Sequence, residues 1–461
     1  MAKLSGIEIY KHLPRTNCGD CGLPTCMAFA LQVASKKLPL DGCPHVSGEA
    51  RTALGDAQTP PMATLAIGPE GASRTLGGET VMHRHEERFQ NAPVLAVRVR
   101  ATLSDAEIDK RVAAIRELRF ERVGKTVGVD AIAMEAGDAK PERFRTVVQR
   151  VAERTQLLLF LLCEDPGICS PAARGIAARR PLLVAATETQ AEDMAGLALE
   201  LKLPLVIRAP GSDASASLVE RISASGARQL LLDPQPAGLA EAIGDLTQLR
   251  RLALEQGVRS AGYPSYVDIG TLTRGVHDPD KRTAAEMVAG VSLIMRYASV
   301  LVVDTIEAWA IHPLVTARQD IYTDPQVPNT VEAKLYEIGN PGPDAPVLVT
   351  TNFALTYFTV AGEVANSRVP AFISVIDTEG LGVLNAYADD RLTVERLVDV
   401  VRDQGGMDRV SHNRLIIPGL VARLRMGIED ASGWNIIVGP ESSSGIPHFL
   451  RELKSTWEQG E

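Results

Sequence analysis

The chain has 461 residues, too many for one ordinary hydrophobic core, so two or three domains are expected. Hydrophobic residues make up 45% of it, which excludes a disordered chain. A formal net charge of -9, with no Lys/Arg run interleaved with aromatics, argues against nucleic acid as a partner.

Residues Met1–Leu13 mix Lys3, Glu8, Lys11 and His12 among apolar residues, unlike a signal peptide. The longest apolar runs, such as Leu157–Leu162, are far below membrane-spanning length, so a soluble cytoplasmic protein with no membrane partner is expected. Residues 1–58 read as a small metal domain. Ile7, Tyr10 and Leu13 mark a short amphipathic helix, and Thr25–Ala34 a second. Cys18-Gly-Asp-Cys21-Gly-Leu-Pro-Thr-Cys26 and Cys43-Pro44 give the spacing C-x2-C-x4-C-x16-C. Three thiolates in one tight loop, and a fourth returning after about one helix of chain, can converge on a single polymetallic centre. The glycines after Cys18 and Cys21 let the loop wrap closely with amides aimed at sulfur, and Pro44 stiffens the exit. A zinc ribbon usually offers two separate C-x2-C knuckles. A [4Fe–4S] cluster is therefore the first reading, structural zinc the second and disulfides a poor third. So small a segment has almost no core, and the metal should supply its folding energy.

Gly55–Pro61 punctuates the chain as a linker, and a different rhythm occupies residues 59–322. Thr64–Gly68 and the turn Gly68-Pro-Glu-Gly71 predict a hairpin. Buried-strand runs then alternate with helical patterns, at Val94–Val99, Val129–Met134, Leu157–Leu162, Leu182–Ala186, Leu205–Arg208, Leu230–Leu232, Tyr266–Ile269 and Leu301–Val303. Short, continuous runs of Val, Ile and Leu suit parallel strands covered by helices. They predict a (β/α)8 TIM barrel with the hairpin plugging its bottom. Glu135, Glu188, Arg208, Asp233, Asp268 and Asp304 fall at strand ends, where they would ring the barrel mouth or merely cap loops and helices. Cys163 and Cys169 follow an apolar run and read as free thiols rather than a second metal site.

Thr323–Pro346, rich in Pro, Asn, Gly and Asp, is expected to be a linker that opens a C-terminal region over residues 323–461. Strands at Val347–Thr350, Ala371–Ile376, Leu415–Ile417 and Asn435–Val438 alternate with helices near Ala354–Ser367, Thr393–Gln404, Leu420–Ala431 and Gly445–Lys454. This predicts a doubly wound, Rossmann-like open α/β sheet, whose ligands bind beyond the strand carboxyl ends. There the sequence places Thr350-Thr-Asn352, Asp377-Thr-Glu-Gly-Leu-Gly382, Pro418-Gly419 and Gly439-Pro-Glu-Ser-Ser-Ser444. Small, hydroxyl and glycine residues permit close backbone approach and hydrogen bonds to an amide-rich or phosphate-bearing ligand. The same composition also suits loops that only turn and cap helices. The lack of G-x-G-x-x-G and P-loop motifs argues against dinucleotides and nucleoside triphosphates.

Taken together, Asn17-Cys-Gly-Asp-Cys-Gly22, Pro24-Thr-Cys26, Thr350-Thr-Asn-Phe-Ala-Leu-Thr356, Val375-Ile-Asp-Thr-Glu-Gly380 and Ile417-Pro-Gly419 carry a resemblance. Over essentially its whole length the chain resembles the large (gamma) subunit of the corrinoid iron–sulfur protein. That protein is the partner of carbon monoxide dehydrogenase/acetyl-CoA synthase in the reductive acetyl-CoA (Wood–Ljungdahl) pathway. The resemblance implies a [4Fe–4S] domain, a barrel and a C-terminal cobamide-binding domain. It makes Cys18, Cys21, Cys26 and Cys43 the cluster ligands. Thr350, Thr356, Thr378, Gly380, Leu381, Gly382, Val383 and Gly439 become candidates for holding the corrin and its side-chain amides. No residue is assigned a catalytic role, because cobalt carries the chemistry. None of the eight histidines, His12, His45, His83, His85, His277, His312, His412 and His448, lies in the D-x-H-x-x-G pattern that ligates cobalt from below. A base-off cobamide is therefore expected.

The implied function is methyl carriage. Co(I) accepts a methyl group from methyltetrahydrofolate or a related methyltetrahydropterin through a methyltransferase and delivers it to acetyl-CoA synthase, while the cluster returns Co(II) to Co(I). The implied partners are a small (delta) subunit in a heterodimer, the methyltetrahydrofolate methyltransferase and carbon monoxide dehydrogenase/acetyl-CoA synthase. Mobility of the cobamide domain on its linker is expected. Two other readings remain at this point. One is a barrel enzyme that itself binds a methylated pterin, for which Asp268 and Asp304 offer carboxylates without a nearby Asn. The other is a zinc-stabilised scaffold.

Overall fold

The computed structural model describes residues 6–34, 38, 42–47, 61–84, 86, 89–122, 124–319 and 328–458. The expected boundaries at 58/59 and 322/323, most of the Gly55–Pro61 linker and His85 lie outside these residues. The chain divides into two compact units, 1–120 with 128–319, and 121–127 with 320–461.

In the first unit, strands β1 (Thr64–Ile67) and β2 (Arg74–Gly77) pair as an antiparallel hairpin. The eight-stranded parallel sheet consists of β3 (Val94–Arg100), β6 (Ala131–Glu135), β7 (Leu158–Leu162), β8 (Leu182–Ala186), β9 (Leu205–Arg208), β10 (Leu230–Asp233), β11 (Tyr266–Asp268) and β12 (Val300–Val303). Its order is β10-β9-β8-β7-β6-β3-β12-β11. A parallel bridge between Leu232 and Ser265, with the Leu232 N–H donating to the Pro264 carbonyl at 2.9 Å, joins β10 to the start of β11 and closes the barrel. Helices pack outside it. In Asp105–Arg116, Ser104 and Glu107 form a reciprocal capping box, and Ile108, Val112 and Ile115 are the buried stripe.

Successive strand residues face opposite sides, so Val94 and Ala96, Ala131 and Ala133, Phe160 and Leu162, Val206, Leu231, Tyr266, and Val300 and Val302 share one interior core. Leu65, Ile67 and Leu76 of the hairpin belong to the same core, and Gly68 abuts Leu158 at the amino end of β7, which makes the hairpin the expected bottom plug. Continuing the alternation to the carboxyl ends brings six polar residues inward: Arg98, Glu135, Arg208, Asp233, Asp268 and Asp304. A second hairpin, β4 (Arg119–Arg122) and β5 (Lys125–Gly128), interrupts the barrel pattern before β6. Its Arg119-Phe-Glu-Arg122 sequence has no apolar run to mark it, and residues 121–127 group with the second unit.

At the amino-terminal end of the first unit, helices Gly6–His12 and Cys26–Ala34 bury Ile9, Leu13, Phe29, Ala30 and Val33 around Cys26, Cys43 and Val46.

The second unit holds β13 (Leu335–Ile338), β14 (Val347–Thr351), β15 (Ala371–Ile376), β16 (Arg414–Ile417) and β17 (Asn435–Val438), in the order β13-β15-β14-β16-β17. The last four are parallel, as expected, and β13 is an antiparallel edge strand. The stretch expected to be linker thus contributes a strand. Leu335-Tyr-Glu-Ile338 is four residues long and mostly half-exposed, so its alternation is submerged among the surrounding Gly, Pro and Asn. Helices Ala354–Ser367 and Ile446–Glu458 cover one face of the sheet, and Val394–Asp403 and Arg425–Ser432 the other. A short helix, Val383–Ala388, follows directly on the expected Asp377–Gly382 loop. From β14 the chain passes to β15 on one side and later to β16 on the other, which makes the β14/β16 carboxyl edge a topological switch point. Among the described residues, no helix is long and apolar enough to cross a membrane.

The hairpin plug rests on Gly77, whose φ is +74° and where an added Cβ would lie 2.4 Å from the Ala63 carbonyl oxygen. Gly77→Ala should lower barrel stability by roughly 2–4 kcal/mol, combining left-handed strain with overpacking against backbone. Denaturant titration of the variant against the parent checks this, and an unchanged midpoint would contradict it.

Candidate metal centre and cofactor cleft

The cysteine loop is shaped by its glycines. Gly19 and Gly22 have φ of +82° and +79°, and the Gly22 N–H donates to the Gly19 carbonyl at 2.8 Å, closing a tight turn between Cys18 and Cys21. Asn17, also left-handed at φ +47°, accepts the Cys26 N–H on Oδ1 at 2.8 Å, so the two ends of the loop are tied across it. Cys26 and Cys43 are buried in the small N-terminal core, Cys21 is half-buried against it, and Cys18 is exposed at its edge. All six cysteines are free, so the disulfide reading does not hold. Beside Cys18, the His45 imidazole Nε2 lies 2.6 Å from Asp20 Oδ2, and the three potential ligand atoms of Cys18, Asp20 and His45 are all within 4.8 Å of one another. Two buried thiols, one half-buried and one at the solvent edge fit a cluster seated in the loop with one corner outward.

At the switch point of the second unit lies an open cleft of about 300 Å³. Its walls include Thr350 from β14, Thr356 at the start of helix Ala354–Ser367, Pro418 after β16, Gly439 after β17, and Val383. Of the residues expected at the corrin, Thr350, Thr356, Val383 and Gly439 thus line one cleft. Thr378, Gly380, Leu381 and Gly382 do not line it and instead form the adjoining loop. The Thr378 hydroxyl is spent internally, donating to the Leu381 carbonyl at 2.8 Å. Thr350 is 2% exposed, yet its Oγ1 has no hydrogen-bond partner among the described residues. A buried hydroxyl left unpaired at a cleft wall is a ready partner for a ligand amide. Close backbone approach is also realised, since a Cβ on Gly419 would come within 2.6 Å of the Gly439 carbonyl oxygen.

The residue that organises this edge, Asn352, belongs to one of the expected loops but was not among the residues expected at the corrin. Asn352 is 5% exposed. Its Oδ1 accepts the Thr378 N–H at 2.9 Å and the Gly380 N–H at 3.0 Å, while Nδ2 donates to Asp377 at 2.8 Å. Its position directly after the two threonines that end β14 was the available signal. Neither His412 nor His448, the histidines of this unit, enters the cleft. His412 is engaged by the Ala345 carbonyl at 3.0 Å and the Arg414 N–H at 3.1 Å, and His448 points to solvent and pairs with Glu452 at 3.2 Å.

The barrel mouth encloses a second cavity of about 490 Å³, with Glu135, Arg208, Asp233 and Asp268 in its wall. Glu188 departs from the expected ring and pairs on the surface with Arg221 at 2.8 Å. Arg98, hidden within the Val94–Val99 run and therefore missed, is 1% exposed and donates to Asp304 at 2.8 Å, to Glu135 at 2.6 Å and to Asp268. Burial alone would lower its pKa, but Asp268, Asp304 and Glu135 reverse this and hold it charged. Arg100 and Arg282 both reach Asp304 at 2.7 Å, and the three guanidinium groups outweigh the burial that pushes that carboxyl up. Cys163 lines the same cavity and shares a hydrogen bond with buried Cys169, in keeping with free thiols.

A family model described as "CO dehydrogenase/acetyl-CoA synthase delta subunit" matches residues 64–450, and one described as "Putative Fe-S cluster" matches residues 13–45, which include all four cysteines. The corrinoid/iron–sulfur protein large subunit of Moorella thermoacetica is 43% identical over 97% of this chain and 98% of its own length. The chain belongs to the corrinoid/iron–sulfur protein large-subunit family. The acetyl-CoA decarbonylase/synthase complex subunit gamma of Methanopyrus kandleri, at 36% identity over 98% of both chains, extends the same relationship to archaea. Dihydropteroate synthase from Thermus thermophilus matches 56% of this chain and 98% of its own at 18% identity and a TM-score of 0.39, too low to carry an argument.

Asn352→Ala should orphan the buried N–H groups of Thr378 and Gly380 at about 1–3 kcal/mol each. Hydrogen exchange should then show their amides losing roughly 10- to 100-fold of protection while the barrel amides are unchanged. Unaltered exchange in the 377–382 loop would contradict the role given to Asn352.

Proposed function

We propose that this chain is the methyl-carrying, cobamide- and [4Fe–4S]-binding subunit of an acetyl-CoA synthase system. The observation that carries the reading is the cleft at the β14/β16 switch point, where the buried, unpaired Thr350 hydroxyl meets largely aliphatic walls broken by threonine and glycine, in a chain that also presents four thiols in one N-terminal segment. The relatives' names support it, since they describe a corrinoid/iron–sulfur large subunit and gamma subunits of acetyl-CoA decarbonylase/synthase complexes. Cys18, Cys21, Cys26 and Cys43 would hold the cluster. Thr350, Thr356, Val383 and Gly439 would contact the corrin, with Thr378, Gly380, Leu381 and Gly382 shaping the loop beside it. When bound, the cobamide supplies a cobalt that accepts, holds and releases a methyl group, and the cluster supplies single electrons that restore its reduced state. The chain's own part is to seat the cofactor and to offer no strong axial nitrogen, because such a donor would stabilise the higher oxidation states. The placements of His412 and His448 support a base-off site.

The barrel is then a platform. Asp268 and Asp304, the carboxylates a pterin site would need, are already bonded to Arg98, which favours the carrier over a pterin-binding barrel. A large subunit implies a small one, and we assign this chain a small (delta) heterodimer partner, a methyltetrahydrofolate methyltransferase as methyl source, acetyl-CoA synthase as methyl acceptor and a cytoplasmic location.

An anaerobic absorption spectrum tests the reading. Broad iron–sulfur absorption with corrin bands is expected, and a colourless protein or one without cobalt would refute it. Cys43→Ala should abolish the cluster signal yet retain the corrin, so that methyl is still accepted from methyltetrahydrofolate and methyltransferase when cobalt is reduced chemically. Parallel loss of both cofactors from a folded variant would contradict independent sites. The paramagnetic resonance spectrum of the Co(II) form should lack nitrogen superhyperfine splitting and be identical in His448→Ala. Splitting that vanishes in that variant would show protein ligation of cobalt.

A further inference from the structure

The four cysteines sit on two separate pieces of chain, three in the loop at 18–26 and the fourth on the return segment at 43. A side-chain pair ties those pieces together on the solvent side: His45 Nε2 to Asp20 Oδ2 at 2.6 Å. Asp20 lies between Cys18 and Cys21, and His45 lies two residues past Cys43. The tie stands against Cys18, the one exposed thiol of the four, within the 4.8 Å that encloses all three ligand atoms. The other three cysteines are fixed by other means. Cys26 and Cys43 are buried in the core, with the Cys26 amide held by Asn17, and Cys21 packs against that core. Among the described residues, Cys18 has only the Gly19–Gly22 turn and this pair.

We infer that Asp20 and His45 are positioning residues that latch the return segment to the cysteine loop and hold the Cys18 corner of the cluster closed. The inference rests on the cluster reading given above. The iron bonded to Cys18 is then the one that leaves first when the latch is opened, because its ligand is neither buried nor otherwise braced. Partners beyond the direct ligands typically change metal affinity by about 10- to 100-fold. Both side chains are about half-exposed, at 48% and 53%, so solvent screening places this pair at the low end of that range.

The test uses the full-length chain, purified anaerobically with its cluster, and follows iron release to a ferrous chelator. In parallel, ferricyanide takes one electron from [4Fe–4S]2+, and the resulting 3+ cluster loses Fe2+ to leave [3Fe–4S]+, which is read by paramagnetic resonance. His45→Ala and Asp20→Ala should both start with four irons and release the first about tenfold faster than the parent. His45→Gln, which keeps an N–H donor for Asp20, should restore the slow rate, and the double alanine variant should be no faster than either single one. Release within about twofold of the parent in both alanine variants would overturn the latch, as would His45→Gln behaving like His45→Ala or the two effects adding independently. A parent chain that carries no iron and sulfide at all would instead overturn the cluster reading itself.

Discussion

A guanidinium can be buried at the top of a barrel only if its charge is answered there, and the architecture of the first unit turns on that requirement. Arg98 from β3 binds Glu135 at the end of β6, Asp268 at the end of β11 and Asp304 just past β12, joining parts of the chain up to 206 residues apart. Removing one member would strand the others in a poorly solvated layer, at a cost of about 3–5 kcal/mol, whereas the assembled set roughly balances its desolvation. This layer ties the ends of distant strands to one shared guanidinium. It also commits the mouth's carboxylates to arginine. A barrel whose inner polar groups are bound to one another is suited to serve as a rigid body for chemistry placed elsewhere.

The cleft at the sheet edge solves the opposite problem. A ligand rich in amides needs walls that come close and a few unsatisfied groups, while the loops forming those walls must be rigid. Asn352 supplies the rigidity by taking two backbone N–H donors from one loop onto a single carboxamide oxygen. Thr350, two residues before it, is left unpaired among the described residues. The polar groups are thus divided between those that build the wall and one, buried in the cleft lining, that is left without an internal partner among the described residues, and Gly419 lets two loops meet at backbone contact.

The N-terminal segment is built on a small core of Ile9, Leu13, Phe29, Ala30, Val33 and Val46. Among the described residues its core includes two of the expected metal ligands, Cys26 and Cys43, so on the proposed reading the same side chains would serve packing and coordination. Metal binding would then be coupled to folding there, with the exposed Cys18 the least buried of the four thiols.

Much of this was legible in the sequence because it depends on short-range periodicity. Continuous Val/Ile/Leu runs marked the eight barrel strands and the four parallel strands of the second unit, and glycine after cysteine marked the cluster loop, where both positions adopt positive φ. What escaped was short, polar or exposed: the β4/β5 hairpin, the edge strand β13 inside an expected linker, and Arg98 inside an apolar run. A four-residue strand carries too little alternation to stand out, and one arginine in a hydrophobic run looks like an outward residue until three carboxylates from distant strands are seen to meet it. The sequence alone determined the order of the parallel strands, the place of the cysteine loop and the positions of the loops at the sheet edge, because each is written in local spacing. Only the tertiary structure decided which of those loops line the cleft, that Asn352 rather than Thr378 organises them, and that Asp20 and His45 meet beside Cys18. Those are contacts between residues far apart in the chain, and no local pattern encodes them.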